Sequence, residues 1–374
     1  MPDLGDLFKR YAPEYLEEHK TKILARHVRA IHDIAHCRTG KFGFHIDACN
    51  KCGERHLYFH SCCNRNCPKC HAGRTQKWIE KKTPTLLPVN YFHVVFTLPE
   101  ELRLIVRSNQ KVLYSTLFKA ATYSLFKLLA DPNFGGGIPG MIGVLHTWSR
   151  DMGYHPHVHF LMPAGLVSKD RSQWLPIAKK FLVPKAMLST IFRARFMKIA
   201  RKELPEIKFP QSIWKKSWVV HPKCIEYGVQ GAKTVLEYLA RYIFRIAITN
   251  NRIEADNNGK ITFRYQNSKT NKWKKMTLAA SEFIRRFLQH VLPLGFHKVR
   301  TYGFLTPQYK ETFLALKLQI LKSKGNADVK PDIKEESNNY RRCSKCKKGR
   351  MVVIIHVFFQ KDKLFLVRPP PCKK

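Results

Sequence analysis

The sequence lacks the features of a membrane or secreted protein. Its longest apolar run, residues 351–359, contains His356 and has about half of the roughly 20 residues that a membrane-spanning helix needs. The N-terminal stretch MPDLGDLFKRYAPEYLEEHK is charged and has no apolar segment, so we expect no secretory signal. Internal repeats are absent, and so is a Walker-type glycine-lysine loop, which argues against a motor driven by a nucleoside triphosphate.

Acidic residues are scarce. The 374 residues include 27 Asp and Glu but 67 Lys and Arg, which gives a formal net charge of +40. Such a charge calls for a polyanionic partner or has a role in solubility, and nucleic acid is the expected partner because Lys and Arg displace counterions from its phosphates. With 44% hydrophobic and 12% aromatic residues, the chain has enough apolar surface to fold, which excludes wholesale disorder.

Eleven cysteines are present, and seven of them lie between Cys37 and Cys70. This clustering in a chain without a secretory signal favours metal binding in a reducing cytoplasm over extracellular disulfides. Two C-x-x-C pairs, Cys49/Cys52 and Cys67/Cys70, each present two thiolates, and two such pairs complete a tetrahedral four-sulfur site. The spacing therefore predicts one structural zinc ion bound by these four cysteines.

A second zinc ion could be bound by other residues of the same cluster. Its ligands would be Cys37, His45 and Cys62, with one further ligand from His60, Cys63 or His71. The segment also contains the basic residues Arg55, Arg65, Lys69 and Arg74. The module could therefore dock on DNA, or it could be a purely structural zinc staple. We expect one or two zinc ions per chain.

The segment HPHVHF places His155, His157 and His159 at alternate positions. Residues i and i+2 of a strand share a face, so the imidazoles of His157 and His159 project together. Two imidazoles on a strand form one edge of a divalent-metal site, here for Mg²⁺ or Mn²⁺, with positions open for a substrate. The candidates for the third ligand are His146, His93 and Glu237. A hairpin centred near residues 151–152 would place His146 opposite His157.

The segment VLEYLARYIFR is amphipathic at helical spacing. Its apolar side contains Val235, Leu236, Leu239 and Ile243, and the other side contains Tyr238, Arg241, Tyr242 and Arg245. A phenol can attack a phosphodiester and hold it covalently when a nearby cation neutralises the developing charge. Tyr238 and Tyr242 are therefore candidate nucleophiles, with Arg241 as a catalytic cation. The alternative is an ordinary amphipathic helix with two half-exposed tyrosines.

Strand-like and helical segments mix along the chain, and hairpins are frequent, so the pattern predicts an α+β fold. Strands are predicted at 91–97, 142–148, 157–162 and 213–220. The predicted domains are an N-terminal helical segment (1–36), a cysteine-rich zinc-binding domain (37–84), a catalytic domain (85–310) and a basic C-terminal helix, linker and tail (311–374). In the tail, His356 could complete a weak zinc site with Cys343, Cys346 and Cys372, or the tail could be disordered or simply packed.

Several of these strings resemble the HUH single-strand endonucleases, and within them the rolling-circle transposases of the insertion-sequence-91 group. The resemblance covers roughly residues 20–306, and it includes the cysteine cluster. The matching strings are CRTG (37–40), YFHVVFTLP (91–99), LHTWSRDMGYHPHVHFLMPAG (145–165), YLARY (238–242) followed by AITNNRI, and EFIRRFLQHVLPLGFHKVRTYGFL (282–305). One departure is Asn66, which stands where the family has a histidine, and Cys63 adds a further thiol to the same segment.

The resemblance implies a zinc-binding domain followed by a catalytic domain with a central antiparallel sheet. The metal pair would be His157 and His159, and the nucleophile would be Tyr238 or Tyr242. The implied activity is nicking and rejoining of single-stranded or hairpin DNA at the ends of a mobile element through a 5′-phosphotyrosine, on the bacterial nucleoid, without a membrane or a nucleoside triphosphate. Alternatives are a plasmid relaxase or replication initiator with the same chemistry, and a zinc-dependent DNA-binding regulator without catalysis.

Overall fold

The computed structural model describes residues 2–71, 86–177, 182–227, 232–243, 246–267, 270–323, 341–360 and 363–367. The chain divides into two compact units, each built from segments that are distant in sequence. Unit 1 comprises Met1–Arg74, Ile248–Val291 and Pro331–Lys374, and unit 2 comprises Thr75–Ala247 and Leu292–Lys330. Both units combine helices with antiparallel strands, which confirms the predicted α+β class.

The described residues contain both helices and strands, which are interspersed along the chain. The helices are α1 (Leu4–Glu18), α2 (Ala25–Ala35), α3 (Pro68–His71), α4 (Arg103–Ser108), α5 (Gln110–Leu129), α6 (Lys185–Glu203), α7 (Ala232–Ile243), α8 (Ala280–Leu288) and α9 (Lys310–Ser323). The strands are β1 (Phe44–Cys49), β2 (Arg55–Phe59), β3 (Tyr91–Thr97), β4 (Gly140–Trp148), β5 (Tyr154–Pro163), β6 (Gly165–Val167), β7 (Trp174–Pro176), β8 (Val220–Ile225), β9 (Ile253–Asn257), β10 (Lys260–Gln266), β11 (Trp273–Ala279), β12 (Val299–Gly303), β13 (Met351–Gln360) and β14 (Lys363–Val367). None of these described helices has both the length and the apolar character needed to cross a bilayer.

Among its described residues, unit 1 contains two antiparallel sheets. One has the strand order β14-β13-β1-β2, and the other is formed by β9, β10 and β11. Helix α1 packs on α8 through Phe8 and Phe287, whose ring centroids lie 5.3 Å apart in an edge-to-face arrangement. Asp256 of β9 accepts hydrogen bonds from Arg10 and Tyr11 of α1, at 2.5 and 2.6 Å. The segment that carries β9 and α8 therefore packs with the N-terminal helices.

The core of unit 2 is a five-stranded antiparallel sheet with the order β12-β4-β5-β3-β8. Val94 and Phe96 of β3 and Phe160 of β5 are fully buried on one face, against the helices α5 and α6. Phe96 meets Phe160 and Phe192 edge to face, with centroid distances of 5.9 and 5.0 Å. Burial of each such ring stabilises the fold by about 1.5–3 kcal/mol. Because many large apolar side chains are buried on this face, it forms the main core of unit 2.

The opposite face of the same sheet packs against α7. Val144 of β4 and Leu161 of β5 form a small apolar cluster with Val235 and Ala240 of α7. Because side chains alternate along a strand, Leu161 lies on the same face of β5 as His157 and His159. The tyrosine-bearing helix and the histidine pair are therefore on the same side of the sheet.

The division into units differs from the linear domain order predicted from the sequence. Part of the predicted catalytic domain (85–310), residues 248–291, packs in unit 1. The predicted tail (311–374) is divided, because α9 belongs to unit 2 whereas β13 and β14 belong to the sheet of unit 1. The predicted strand at 213–220 is also displaced. A 3₁₀ turn occupies Gln211–Trp214, the buried Trp218 donates its indole N–H to the Ile213 carbonyl of that turn, and the strand begins at Val220.

Candidate functional site

Three histidines converge on the hairpin formed by β4 and β5. His146 is the register partner of His157, as the predicted hairpin required, and His159 lies two residues further along the same face. One potential ligand atom from each of His146, His157 and His159 lies within 4.8 Å of the others. Three imidazoles at this spacing fit a divalent cation that keeps positions open for a substrate.

The orientation of these rings is fixed by neighbouring groups. His157 Nδ1 lies 2.6 Å from the His155 carbonyl, and because a carbonyl only accepts, Nδ1 carries the proton and Nε2 carries the lone pair. His146 is buried, and its ring stacks on Trp148 at a centroid distance of 4.7 Å. His157 thus presents a nitrogen able to bind a cation, and its backbone partner holds it in that tautomer.

His93 connects the histidine group to helix α7. It lies on β3, and its Nε2 is 2.8 Å from Nδ1 of His159, with the two rings stacked at 5.0 Å. On its other side, Nδ1 of His93 is 2.9 Å from the Tyr238 hydroxyl. Burial, together with the nearby His221 and Lys223, lowers the pKa of His93 to about 4. A neutral His93 has one donor and one acceptor nitrogen, which suits a bridging position.

Of the two candidate tyrosines, Tyr238 is the one whose hydroxyl the structure describes at this site. It is half-buried on α7, beside the apolar cluster that fixes the helix on the sheet. The side chains of Tyr242 and Arg241 lie outside the described residues, so their catalytic roles stay predictions. Among described residues, neither His93 nor Glu237 belongs to the three-histidine group, although both were candidates for the third ligand.

A lysine that the sequence analysis did not single out lies next to the site. Lys298 Nζ is 3.2 Å from the carbonyl of Ile243, at the described end of α7, and 5.1 Å from the centroid of the Trp148 ring. A cation at this position complements the helix C-terminus and adds positive charge beside His146. Lys298 falls within the matched string 282–305, but no spacing rule connects it to residues 150 positions earlier.

The cysteines form two groups that differ from the predicted ones. Sulfur atoms of Cys37, Cys62, Cys67 and Cys70 form one group, and those of Cys49, Cys52, Cys343 and Cys346 form the other. The predicted site of Cys49, Cys52, Cys67 and Cys70 is therefore wrong. The reason is the pairing of β13 with β1, which brings the C-terminal C-x-x-C pair to the end of β1.

The ligand set predicted for a second zinc ion is also corrected. His45 lies outside both cysteine groups, and its ring stacks on Tyr58 and His60 at 5.2 and 5.4 Å. Among described residues, Cys63 is exposed and likewise lies outside both groups. Asn66 needs no histidine-like role, because four cysteines already complete the first group. Cys372 lies outside the described residues, and so does the side chain of His71.

The first cysteine group fits a zinc ion. Its S···S separations of 3.6 Å (Cys37 to Cys70) and 3.5 Å (Cys62 to Cys70) are close to the edge of about 3.8 Å of a tetrahedron with Zn–S bonds of about 2.3 Å. Backbone N–H groups of Cys62 and Asn64 donate to the sulfurs of Cys37 and Cys62, each at 3.5 Å. These N–H groups favour the thiolate form that zinc requires.

Comparisons with known proteins agree with this architecture. Residues 140–312 match the family described as "Putative transposase", and residues 7–98 match the family described as "Transposase zinc-binding domain". The "Putative transposase y4qJ" of Sinorhizobium fredii is 35% identical over 381 residues, which cover 94% of this chain and 95% of the relative. The "Transposase for insertion sequence element IS801" of Pseudomonas savastanoi pv. phaseolicola is 26% identical over 310 residues, 76% of this chain and 72% of the relative. No solved structure matches the chain.

Proposed function

Because the chain belongs to the insertion-sequence-91 family of transposases, we propose that it nicks and rejoins single-stranded DNA at the ends of a mobile element, with Tyr238 as nucleophile. The substrate would be single-stranded or hairpin DNA on the bacterial nucleoid. The cofactors would be structural zinc and a catalytic Mg²⁺ or Mn²⁺. Tyr242 would serve a second cleavage, and Arg241 would neutralise phosphate charge.

The observation that carries this proposal is the hydrogen-bonded chain from Tyr238 through His93 to His159. The Tyr238–His93 and His93–His159 hydrogen bonds measure 2.9 and 2.8 Å. They connect a phenol on helix α7 to the candidate metal-binding histidines on the sheet. Tyrosine and histidine pairs are common separately. Their connection through one buried imidazole supports a shared reaction centre.

The proposed reaction exchanges one phosphodiester for another. The Tyr238 oxygen attacks phosphorus, a Tyr Oη–P bond forms, and the P–O3′ bond breaks, which gives a 5′-phosphotyrosine and a 3′-hydroxyl. The phenolic proton leaves to solvent, and the 3′ oxygen takes one up. Since a phosphoester replaces a phosphoester, the reverse attack by a 3′-hydroxyl can rejoin strands without ATP. A divalent cation held by His146, His157 and His159 would supply charge neutralisation at the scissile phosphate.

His93 has a positioning role in this scheme. For His159 to offer Nε2 to a cation, its Nδ1 must carry the proton, and Nδ1–H then donates to Nε2 of His93. The neutral His93 consequently carries its own proton on Nδ1 and donates to the Tyr238 oxygen. This hydrogen bond would orient the phenol and stabilise the phenolate during attack.

The positive charge of the chain supports a DNA substrate. The net charge of +40 favours binding of a polyanion; Lys298 lies over Trp148, whose ring stacks on His146, and Lys223 is the register partner of His93. An in-line attack by Tyr238 needs a flexible, accessible phosphodiester, and single-stranded DNA provides one. A regulator that only binds DNA does not need such a phosphodiester. The relatives' names favour a transposase over a plasmid relaxase or replication initiator.

A covalent-adduct assay tests the proposal. The purified protein is incubated with Mn²⁺ and single-stranded oligonucleotides that cover both strands of the DNA flanking its gene, and protein–DNA adducts are resolved on a denaturing gel. We expect an adduct with the wild-type protein, and none with Tyr238→Phe. Tyr242→Phe is the matched control and should retain the first cleavage.

Two outcomes would contradict the proposal in different ways. An adduct that persists in the combined Tyr238→Phe and Tyr242→Phe variant would mean that another residue is the nucleophile. If no adduct forms with any oligonucleotide but the protein still binds the same DNA, the zinc-dependent regulator becomes the better description.

A further inference from the structure

The C-terminal C-x-x-C pair lies beside an N-terminal one at the same end of a sheet. Strand β1 ends at Cys49, and Met351 at the start of β13 is its register partner. Cys49 is the last residue of β1 and Cys52 lies in the turn that follows, while Cys343 and Cys346 lie in the turn that precedes β13. The antiparallel pairing of β1 with β13 therefore brings together two turns that are almost 300 residues apart in sequence.

The two turns have the same backbone design. The Cys49 carbonyl accepts a hydrogen bond from the N–H of Gly53 at 3.0 Å, and the Cys343 carbonyl accepts one from the N–H of Lys347, also at 3.0 Å. The donor residue has a positive φ in both turns, 72° at Gly53 and 54° at Lys347. In each turn the chain thus reverses four residues after the first cysteine, which aims both sulfur atoms to the same side.

Contacts between the two turns hold them in place. The N–H of Asn50 donates to the Arg350 carbonyl at 3.1 Å, and the Arg350 N–H donates to Oδ1 of Asn50 at 2.8 Å. Gly349 is also packed against Cys49, since a Cβ on Gly349 would lie 2.2 Å from the sulfur of Cys49. Only glycine fits at this position while Cys49 keeps its orientation.

From this geometry we propose that Cys49, Cys52, Cys343 and Cys346 bind a structural zinc ion that fastens the C-terminal segment to the N-terminal zinc-binding sheet. The sulfurs of Cys49 and Cys346 are 3.7 Å apart, and those of Cys52 and Cys343 are 3.6 Å apart. These values fit the edge of about 3.8 Å of a zinc–sulfur tetrahedron, and they far exceed a disulfide bond of about 2.05 Å.

Backbone donors around the sulfurs add to the fit. Cys49 Sγ accepts from the N–H groups of Lys51 and Cys52 at 3.4 and 3.5 Å, and Cys346 Sγ accepts from the Gly349 N–H at 3.3 Å. Two C-x-x-C turns at adjacent strand ends form the arrangement of a zinc ribbon. This ion is additional to the one in the Cys37 group, and half of its ligands lie beyond residues 7–98, the part that matches the zinc-binding family.

The proposal predicts two zinc ions per chain and a specific pattern of thiol protection. Zinc is counted by native mass spectrometry of the full chain, and zinc-protected thiols are mapped by alkylation with N-ethylmaleimide followed by peptide analysis. We expect two zinc ions in the wild-type protein and one in Cys343→Ser/Cys346→Ser. In that variant Cys49 and Cys52 become alkylated, while Cys62, Cys67 and Cys70 stay protected. Cys63→Ser should keep both ions, because Cys63 lies outside both groups.

The reciprocal variant separates this grouping from the alternative one. In Cys67→Ser/Cys70→Ser, Cys49 and Cys52 should remain protected together with Cys343 and Cys346. Exposure of Cys49 and Cys52 in this variant, or their continued protection in Cys343→Ser/Cys346→Ser, would overturn the proposal. A single zinc ion in the wild-type protein would also overturn it.

A measurement on the wild-type chain tests the same ligand set without any substitution, in case the variants do not fold. Partial digestion of the zinc-loaded wild-type protein should release peptides from residues 44–59 and 341–360 that stay together with one zinc ion and separate on chelation. Recovery of the 44–59 peptide with a zinc ion and residues 61–71 instead would refute the proposed ligand set.

Discussion

The histidine site of unit 2 and the group of Cys49, Cys52, Cys343 and Cys346 in unit 1 differ in how far apart their candidate ligands lie along the chain. His146 and His159 are on one hairpin, joined by a turn in which the Ser149 N–H donates to the Gly153 carbonyl. Cys52 and Cys343 are 291 residues apart and meet only because β1 pairs with β13. A local hairpin fixes its own register, whereas a C-x-x-C turn defines only half of a site and leaves its partner to the tertiary fold.

The largest effect is expected from removing a ligand of the local site. His157→Ala should lower Mn²⁺-dependent adduct formation on the order of 10³-fold, because charge neutralisation at the phosphate is worth several kcal/mol. His155→Ala is the matched control, since it preserves the backbone carbonyl that accepts from His157. Equal losses in the two variants would show that the strand as a whole, and not the histidine group, matters for cleavage.

Substitution of His93 tests whether the hydrogen-bonded contact between sheet and helix matters as much for adduct formation as the histidine hairpin does. His93→Ala removes the hydrogen bonds to His159 and Tyr238, and we expect a loss of about 10–100-fold in the rate of adduct formation. Because His93 acts through His159 and Tyr238, the variant should also need a higher Mn²⁺ concentration for half-maximal adduct formation, in addition to its lower rate. His93→Gln, which retains an amide donor and acceptor, should recover part of the activity. A normal rate in His93→Ala would remove the bridge from the mechanism.

Gly349→Ala examines the long-range site without removing a ligand. The new Cβ would lie 2.2 Å from the Cys49 sulfur, so we expect the protein to carry one zinc ion instead of two while the Cys37 group stays loaded. Zinc content by mass spectrometry measures this. Gly53→Ala is the control, because a Cβ there meets no atom within 4 Å, although its φ of 72° adds some backbone strain. Two bound ions in Gly349→Ala would show that the turns tolerate a wider spacing than the structure has.

The smallest effect is expected from a local ion-pair group in unit 1. Glu282 accepts from Arg285 at 2.5 Å and from Arg286 at 2.7 Å, and these pairs, that with Arg285 foremost, lower the pKa of Glu282 to about 2. The stabilisation is present above the ordinary glutamate pKa of 4.5 and is lost as the pH falls from 4.5 towards 2. Glu282→Gln should cost about 1 kcal/mol or less at pH 7, given the exposure of the group.

Urea unfolding of Glu282→Gln and the wild-type protein at pH 7 and pH 3 checks this value. The difference between the two proteins should shrink at the lower pH. A difference that stays constant with pH would mean that Glu282 stabilises α8 by packing and not by charge.

The sequence predicts best what depends on neighbouring residues. The alternation HPHVHF places His157 and His159 on one face, and the hairpin turn then pairs His146 with His157. The α+β class follows from the same local patterns. The contact of Tyr238 with His93 could not be predicted, because the packing of α7 on the sheet depends on Leu161, Val144 and Val235 meeting across three separate segments.

The cysteine spacing misleads for a physical reason. Cys49/Cys52 and Cys67/Cys70 are close in sequence, but Cys37 and Cys62 already complete the group of Cys67 and Cys70. The partners of Cys49 and Cys52 lie in the turn that precedes β13, in a segment predicted only as part of a C-terminal tail. No local pattern tells which earlier strand β13 will pair with, because any strand can offer the backbone hydrogen bonds of an antiparallel ladder and the choice of partner depends on side-chain contacts made in the tertiary fold.

The place of β13 in its sheet has a consequence for how the chain is made. Strand β13 lies between β1 and β14, so without it β1 and β2 are an isolated hairpin, which is marginally stable in water. Ribosomes add about 5–20 residues per second, so the roughly 300 residues between Cys49 and Met351 take roughly 15–60 s to synthesise. During that interval the sheet of β1 and β2 lacks its third strand. A nascent transposase chain that stalls before β13 is synthesised cannot complete this sheet.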